Sequence, residues 1–321
     1  MQKAYNISAN FAFIINMRYY LFFLLILSAL AISCNQSSPK SNPSERDFQF
    51  EPIKGIKYYE VRRTFANGIA FNELGFQQTP EWAIRFLSDT TVQAYSPTMN
   101  KMLNFDLIFS HDGVYNFARE WFRVKSVSKD SLLLQRLEVN AKKIAKDVRS
   151  EVYMTFYSDA YIKKLNKTVE DLRKPRKQDS VFVKQRADLI NASITDSSLF
   201  FAARNPVEFT SKSDIIEIEK LSTVDKLQNR SASYDYLYPE YTVKINPAYK
   251  DFAHTISAIV DQNGKMHVYR FNATDDYREN RRKVLQAILD LYFGRLVIVK
   301  PGLTLGYTHS SVVVLNLMGT K

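Results

Sequence analysis

Residues 21–32 form an apolar run broken only by Ser28. It is well short of the ~20 residues that a membrane-spanning helix needs. Arg18 precedes the run, and the small residues Ser28, Ala29, Ala31 and Ser33 crowd its far end. A positive start, an apolar middle and a small-residue end are the layout of a secretory signal. An uncleaved anchor is the alternative reading. Cys34 follows at once and is the only cysteine in the 321-residue chain. An exported chain with one cysteine has no internal disulfide, so its fold must rest on its core and hydrogen bonds. Met17 gives the signal ordinary proportions, and translation is expected to start there and not at Met1.

Ala31-Ile32-Ser33-Cys34 resembles the lipobox of bacterial lipoproteins, in which Leu, Val or Ile usually stands where this chain has Ala31. The resemblance implies cleavage before Cys34 and lipidation of its sulfur. Each buried CH₂ adds about 0.8 kcal/mol, and several acyl chains on one cysteine make a durable anchor where a single chain holds poorly. Residues 35–47 are rich in Ser, Asn and Pro and too poor in apolar groups to pack, which reads as a flexible tether. The expected address is the outer membrane, facing the periplasm. Residues 35–37 show no acidic or other signal for another leaflet or for the cell surface.

Hydrophobic residues make up 45% of the chain and charged residues 24%, as in globular proteins. The length supports about two domains. Removing Lys3 and Arg18 with the signal lowers the formal charge from +11 to +9. A basic exported surface suits acidic headgroups, anionic glycans or an acidic protein patch, and nucleic acid is not an expected partner. A merely solvated basic surface would have the same composition.

The fold class expected is α+β. Residues 48–157 read as an antiparallel β domain, whether meander, small barrel or sandwich. Strand patterns cover 56–65, 82–88, 91–95, 103–109, 120–125, 132–139 and 150–157, with turns such as His111-Asp112-Gly113 between them. The rhythm resembles that of lipocalin-like small barrels, which would imply a carrier of a hydrophobic ligand. Trp82 and Trp121 are expected in the core of this domain.

Residues 158–235 read as a basic helical connector and bridge. Tyr161, Leu165, Val169 and Leu172 form one apolar stripe at helical spacing. Pro175 breaks it, and a second helix is expected over 180–190. Lys163, Lys164, Lys167, Arg173, Lys174, Arg176 and Lys177 make a basic tract that could face an anionic surface or simply keep the helices wet. The bridge contains an apolar island, residues 199–203, and a short strand at 215–218.

Residues 236–321 carry the clearest pattern. Strands at 255–260 and 265–271 flank Asp261-Gln262-Asn263-Gly264, where Asn-Gly signals a tight hairpin. Thr274, Asp275 and Asp276 suit a helix start. Val284, Leu285, Ile288 and Tyr292 share one face, and Gly294 stands where a C′ glycine would end the helix. A loop at Lys300-Pro301-Gly302 and an apolar strand over 310–318 complete a ββαβ order. The run from Val260 to Met266, the Pro301-Gly302 loop, Gly306 and the upstream Leu237-Tyr238-Pro239 together resemble the TonB C-terminal domain. The resemblance implies a periplasmic module that binds partner proteins, partly by strand addition. The lipoprotein-like signal and the additional β domain depart from energy transducers of that family, so force transmission is not implied.

No HExxH, GxSxG, CxxC, P-loop or GxGxxG motif is present. No catalytic, cofactor or metal residues are therefore assigned, and Cys34 is the one modification site. Among His111, His254, His267 and His309, only His254 and His267 could form a weak metal pair, across the Asn263-Gly264 hairpin. Asp106, Asp112 and Glu120 fall in one segment without a catalytic pattern. The function expected is a non-enzymatic protein-interaction or scaffold module anchored in the envelope.

Overall fold

Period-two alternation builds the first sheet of the computed structural model, which describes residues 48–222 and 233–321. The signal, Cys34, the tether and residues 223–232 lie outside the described residues. β1 (Lys57–Phe65), β2 (Ala83–Ser88), β3 (Thr91–Ser96), β4 (Lys101–Asp106), β5 (Ile108–Phe109), β6 (Val114–Phe117), β7 (Glu120–Val127) and β8 (Ser131–Leu137) follow in chain order. A small hairpin of β9 (Val139–Asn140) and β10 (Lys143–Ile144) leads to β11 (Val152–Ser158). The sheet order is 4-3-2-1-11-8-7-6-5, all antiparallel. Its two end strands, β4 and β5, are separated in the chain only by Leu107, so the sheet curls into a nearly closed barrel.

Aromatic rings fill the inside of this barrel. Phe50 stacks on Phe86 at 4.2 Å between centroids and meets Tyr115 edge-on at 5.3 Å. Phe117 and Phe122 stack at 4.5 Å, with Trp82 against Phe122 at 5.4 Å. Trp121 alternates with buried Phe122 and stays half-buried, outside this cluster. β6 lies outside the strand patterns expected from the sequence. Its closing turn, Ala118-Arg119, has φ of 50° and 66°, values that neither residue type advertises.

Three helices follow: α1 (Asp159–Lys164), α2 (Val169–Arg173) and α3 (Lys177–Ala192). The single stripe expected from Tyr161 to Leu172 is split. Asn166 takes a φ of 53°, and the Thr168 hydroxyl caps α2 by accepting from the Asp171 N–H at 3.1 Å. α3 is tied to the barrel by Asp179. Its carboxylate is fully buried and accepts from Arg62 Nη1 at 2.6 Å and Nη2 at 2.9 Å. It also accepts from the N–H groups of Ala70 at 2.9 Å and Arg176 at 2.8 Å. Burial pushes this carboxyl upward, but the Arg62 guanidinium and the two N–H donors outweigh it and hold the pKa below the usual value.

The second sheet is built from β13 (Ile216–Lys220), β14 (Glu240–Ile245), β15 (Phe252–Val260), β16 (Met266–Phe271) and the last strand, β20 (Ser311–Gly319). The intervening pieces are β12 (Glu208–Ser211) upstream, α4 (Tyr234–Leu237), α5 (Asp275–Ile288), a π-helical turn Leu289–Phe293 and α6 (Gly294–Leu296). β17 (Val297–Lys300), β18 (Leu303–Thr304) and β19 (Tyr307–Thr308) complete the chain. The order is 13-14-20-15-16, with only β14 and β20 parallel. Ile256, Ala258, Val313, Leu315 and Leu317 pack with Leu285, Ile288 and Leu289 in one core.

Gly294 has a φ of −62° and continues the helix through Leu296, so it is not a left-handed cap. Val284 is 42% exposed and lies off the buried face, which the π turn shifts toward Leu289 and Phe293. The sheet also reaches upstream of residue 236, because β13 pairs with β14. Residues 48–321 form one compact unit. α3 joins the halves: at its far end Asn191 accepts from the Ser310 N–H at 2.8 Å and donates to the Thr308 carbonyl at 3.2 Å.

His309 is buried at this junction. Its Nδ1 lies 3.0 Å from the Ser310 carbonyl, which only accepts, so the hydrogen-bond network assigns the proton to Nδ1. Nε2 then accepts from the Thr304 hydroxyl at 3.1 Å, and that oxygen accepts from the Arg204 N–H at 3.0 Å. Burial pushes the His309 pKa below its ordinary value, and the partly buried His254 is lowered in the same way, with Arg281 contributing. Folding therefore favours the neutral rings. That stability is complete above about pH 6.5 and declines as pH falls below it, by up to about 1.4 kcal/mol per pH unit for each group. Urea denaturation of the purified protein between about pH 7 and 5 is expected to show this loss, and His309→Gln should flatten it. Equal slopes in the two proteins would contradict the assignment.

Candidate functional site

The second sheet has two edges, and the sequence closes one of them. In the β15–β16 hairpin the Asp261 N–H donates to the Lys265 carbonyl at 2.9 Å, with Ile259 opposite His267. That register turns the main-chain groups of Met266 and Val268 outward. α5 then covers them. Gln286 accepts from the Val268 N–H at 3.0 Å and donates to the Met266 carbonyl at 3.0 Å, so its amide takes the place of a neighbouring strand. Arg282 Nη1 donates to the Val268 carbonyl at 2.7 Å. An incoming strand would have to break these bonds.

The hairpin itself needs only Gly264 in the left-handed region, at a φ of 82°. Asn263 is not left-handed; Asp261 Oδ1 instead accepts from the N–H groups of Asn263 at 2.8 Å and Lys265 at 3.0 Å. This corrects the Asn-Gly turn expected: the loop is longer and ends in a glycine bulge. A Cβ on Gly264 would lie 2.7 Å from the Val299 carbonyl oxygen, so close approach also demands glycine there.

β13 forms the other edge. The Asn246 N–H donates to the Ile215 carbonyl and the Leu221 N–H to the Glu240 carbonyl, which fixes the alternation. The main-chain groups of Ile218 and Lys220 point away from β14, and no partner for them is found among the described residues. A groove of about 730 Å³ runs beside them, lined by Phe209, Lys212, Asp214, Ile216, Glu217 and Ile218. Ile216 and Ile218 pack toward the core, while Glu217 and Glu219 stand exposed on the opposite face. Lys244 lies 3.3 Å from Glu217. Acidic side chains on an open edge discourage self-association by like-charge repulsion and favour a basic partner strand.

His254 lies opposite Leu317, beyond the end of β16, while His267 faces Ile259 and sits 3.2 Å from Asp261 Oδ2. The pair proposed across the hairpin is therefore not formed. No group of three or more His, Cys, Asp or Glu residues placed to hold a metal occurs among the described residues. His111 bonds to the neighbouring Ser110 hydroxyl, Asp106 is exposed, and Glu120 holds Arg136 in a two-pronged ion pair at 2.9 Å.

In the basic tract, Lys163 pairs with Asp159 and Lys174 with Asp171, and Arg173 donates to the Glu60 carbonyl. Lys164, Lys167, Arg176 and Lys177 stay exposed, with no carboxylate partner among the described residues. No helix among those residues is long and apolar enough to cross a membrane. No protein-family model and no curated protein matches the chain. Its fold and surfaces define an α+β protein with one sealed and one open sheet edge.

Amide hydrogen exchange reports the difference directly. The Val268 amide is expected to exchange slowly and the Ile218 amide quickly. Gln286→Ala should speed exchange at Val268 and leave Ile218 unchanged; equal protection at both sites in the unsubstituted protein would contradict the assignment of edges.

Proposed function

We propose that this chain is a lipid-anchored envelope protein that binds partner proteins by strand addition at β13. The open edge of β13, beside its groove, is the observation that carries the reading. Main-chain pairing would supply affinity, and the alternating pockets beside Ile216 and Ile218 would supply register. The lipobox-like Ala31-Ile32-Ser33-Cys34 supports the anchor at Cys34, and the β15-β16-α5-β20 order is the one a TonB-like module would have. Of the two edges such a module offers for strand addition, the Gln286 clamp on β16 favours β13. Lys164, Lys167, Arg176 and Lys177 would add attraction to acidic headgroups, of order 1 kcal/mol each near a charged surface. A carrier role for the barrel is less well supported, because Phe50, Phe86, Tyr115, Phe117 and Phe122 occupy its interior.

A photo-reactive amino acid placed at Glu219 in living cells tests the reading. Crosslinks to an envelope protein are expected from Glu219 and not from His267 on the sealed strand. Cys34→Ser should move the protein out of the membrane fraction and weaken the Glu219 crosslinks. Crosslinking from His267 alone, or membrane association unchanged by Cys34→Ser, would overturn the proposal.

A further inference from the structure

A second groove, of about 550 Å³, lies where the two sheets meet. Leu74 comes to it from the β1–β2 connection, Phe200 from the segment before β12, Tyr236 and Tyr238 from α4 and its end, and Tyr269 with Arg270 from β16. Leu74 and Tyr238 are 67% and 63% exposed, among the most exposed large apolar side chains of the described residues. Beside a groove, exposed apolar side chains give a partner surface to bury.

Two observations identify what the groove takes. The Val314 N–H donates to the Pro239 carbonyl at 2.9 Å, and pairing of β20 with β14 begins at that point. Alternation along β20 turns the main-chain N–H and C=O of Val312 to the same side, ahead of the first β14 residue. They have no partner among the described residues, and Val312 lines the groove. Beside it Ser311, 4% exposed, has a buried hydroxyl that also lacks a partner among the described residues. β20 thus presents a short open edge to the groove.

The second observation is charge. The Arg270 guanidinium sits 4.8 Å over the Tyr269 ring, and on the far side of Tyr236 the Arg204 guanidinium sits 4.5 Å over that ring. Arg204 donates to the Gln77 amide oxygen, and neither arginine pairs with a carboxylate among the described residues. The lining residues include no Asp or Glu.

We infer that this groove binds an extended, acidic segment of a partner protein, at a site separate from β13. Its main chain pairs with Val312. An apolar side chain enters between Phe200, Tyr236 and Tyr269, and an Asp or Glu carboxylate meets Arg270, where planar two-pronged pairing adds geometric selectivity. A neutral glycan would use the rings but not the strand edge, and it would find no carboxylate to accept its hydroxyls.

The test is a random octapeptide array probed with the purified mature protein, beside a glycan array. Peptides with Asp or Glu next to an apolar residue are expected to be selected. Their Kd should rise about tenfold or more in Arg270→Glu, because a charge attraction becomes a repulsion. Arg270 is exposed, so an unchanged thermal midpoint will show that this variant is folded. N-methylation of the selected peptides at alternate amides should abolish binding if a strand edge is used. The inference is overturned if no acidic peptide is selected, if binding survives both Arg270→Glu and N-methylation, or if only the glycan array responds.

Discussion

The fold depends on a carboxylate that has no access to water. Asp179 lies in the first turn of α3, yet four donors from three places in the chain converge on it: the two guanidinium nitrogens of Arg62, the Ala70 N–H and the Arg176 N–H. A buried ion pair contributes little relative to a well-packed apolar pair, but removing one partner leaves the other charge stranded at a cost of about 3–5 kcal/mol. The arrangement therefore fixes position more than it adds stability. It sets the start of α3 against β1, and from there the helix runs to Asn191, which grips the turn before β20. Phe71, Val183 and Phe201 fill the space between. One helix thereby relates a barrel and a sheet that share no strand.

That relation gives the surfaces their meaning. The junction groove draws its walls from both halves, which are held by α3 and by direct bonds from Gln77 to Tyr236 and Arg204 and from Ala202 to Leu74. The sheet beyond it treats its edges unequally. α5 places Gln286 and Arg282 on β16, a covering device that removes one template for aggregation. β13 receives no such cover among the described residues and carries glutamates in its place. A sheet with one edge sealed and the other, among the described residues, guarded by charge is suited to a chosen partner and poorly suited to self-assembly.

Local chemistry made much of this legible in the sequence. Alternation located most barrel strands to within a few residues, and the turn at Gly264 bounded the hairpin, whereas β18 and β19, between the Pro301-Gly302 loop and the last strand, carried no such signal. Pairs distant in sequence left no such trace. Arg62 and Asp179 are 117 positions apart and read separately as one more base and one more acid. Gln286 looks like an ordinary polar helix residue until β16 lies beside it. β13 looked like an isolated strand because its partner β14 is itself placed by a parallel neighbour, β20, from the end of the chain. Ala118-Arg119 adopts a turn conformation that its side chains do not favour, so β6 was hidden. The basic tract was visible, but which of its charges are already engaged depends on Asp159, Asp171 and the Glu60 carbonyl.

Native-state hydrogen exchange in rising denaturant tests the central claim that Asp179 makes one unit of the two sheets. The slowest amides of β11, in the middle of the barrel, and of β20, in the middle of the second sheet, should converge on one opening free energy. In Asp179→Asn both sets should fall together. Separate convergence of the two strands, or a loss confined to the barrel, would contradict the account.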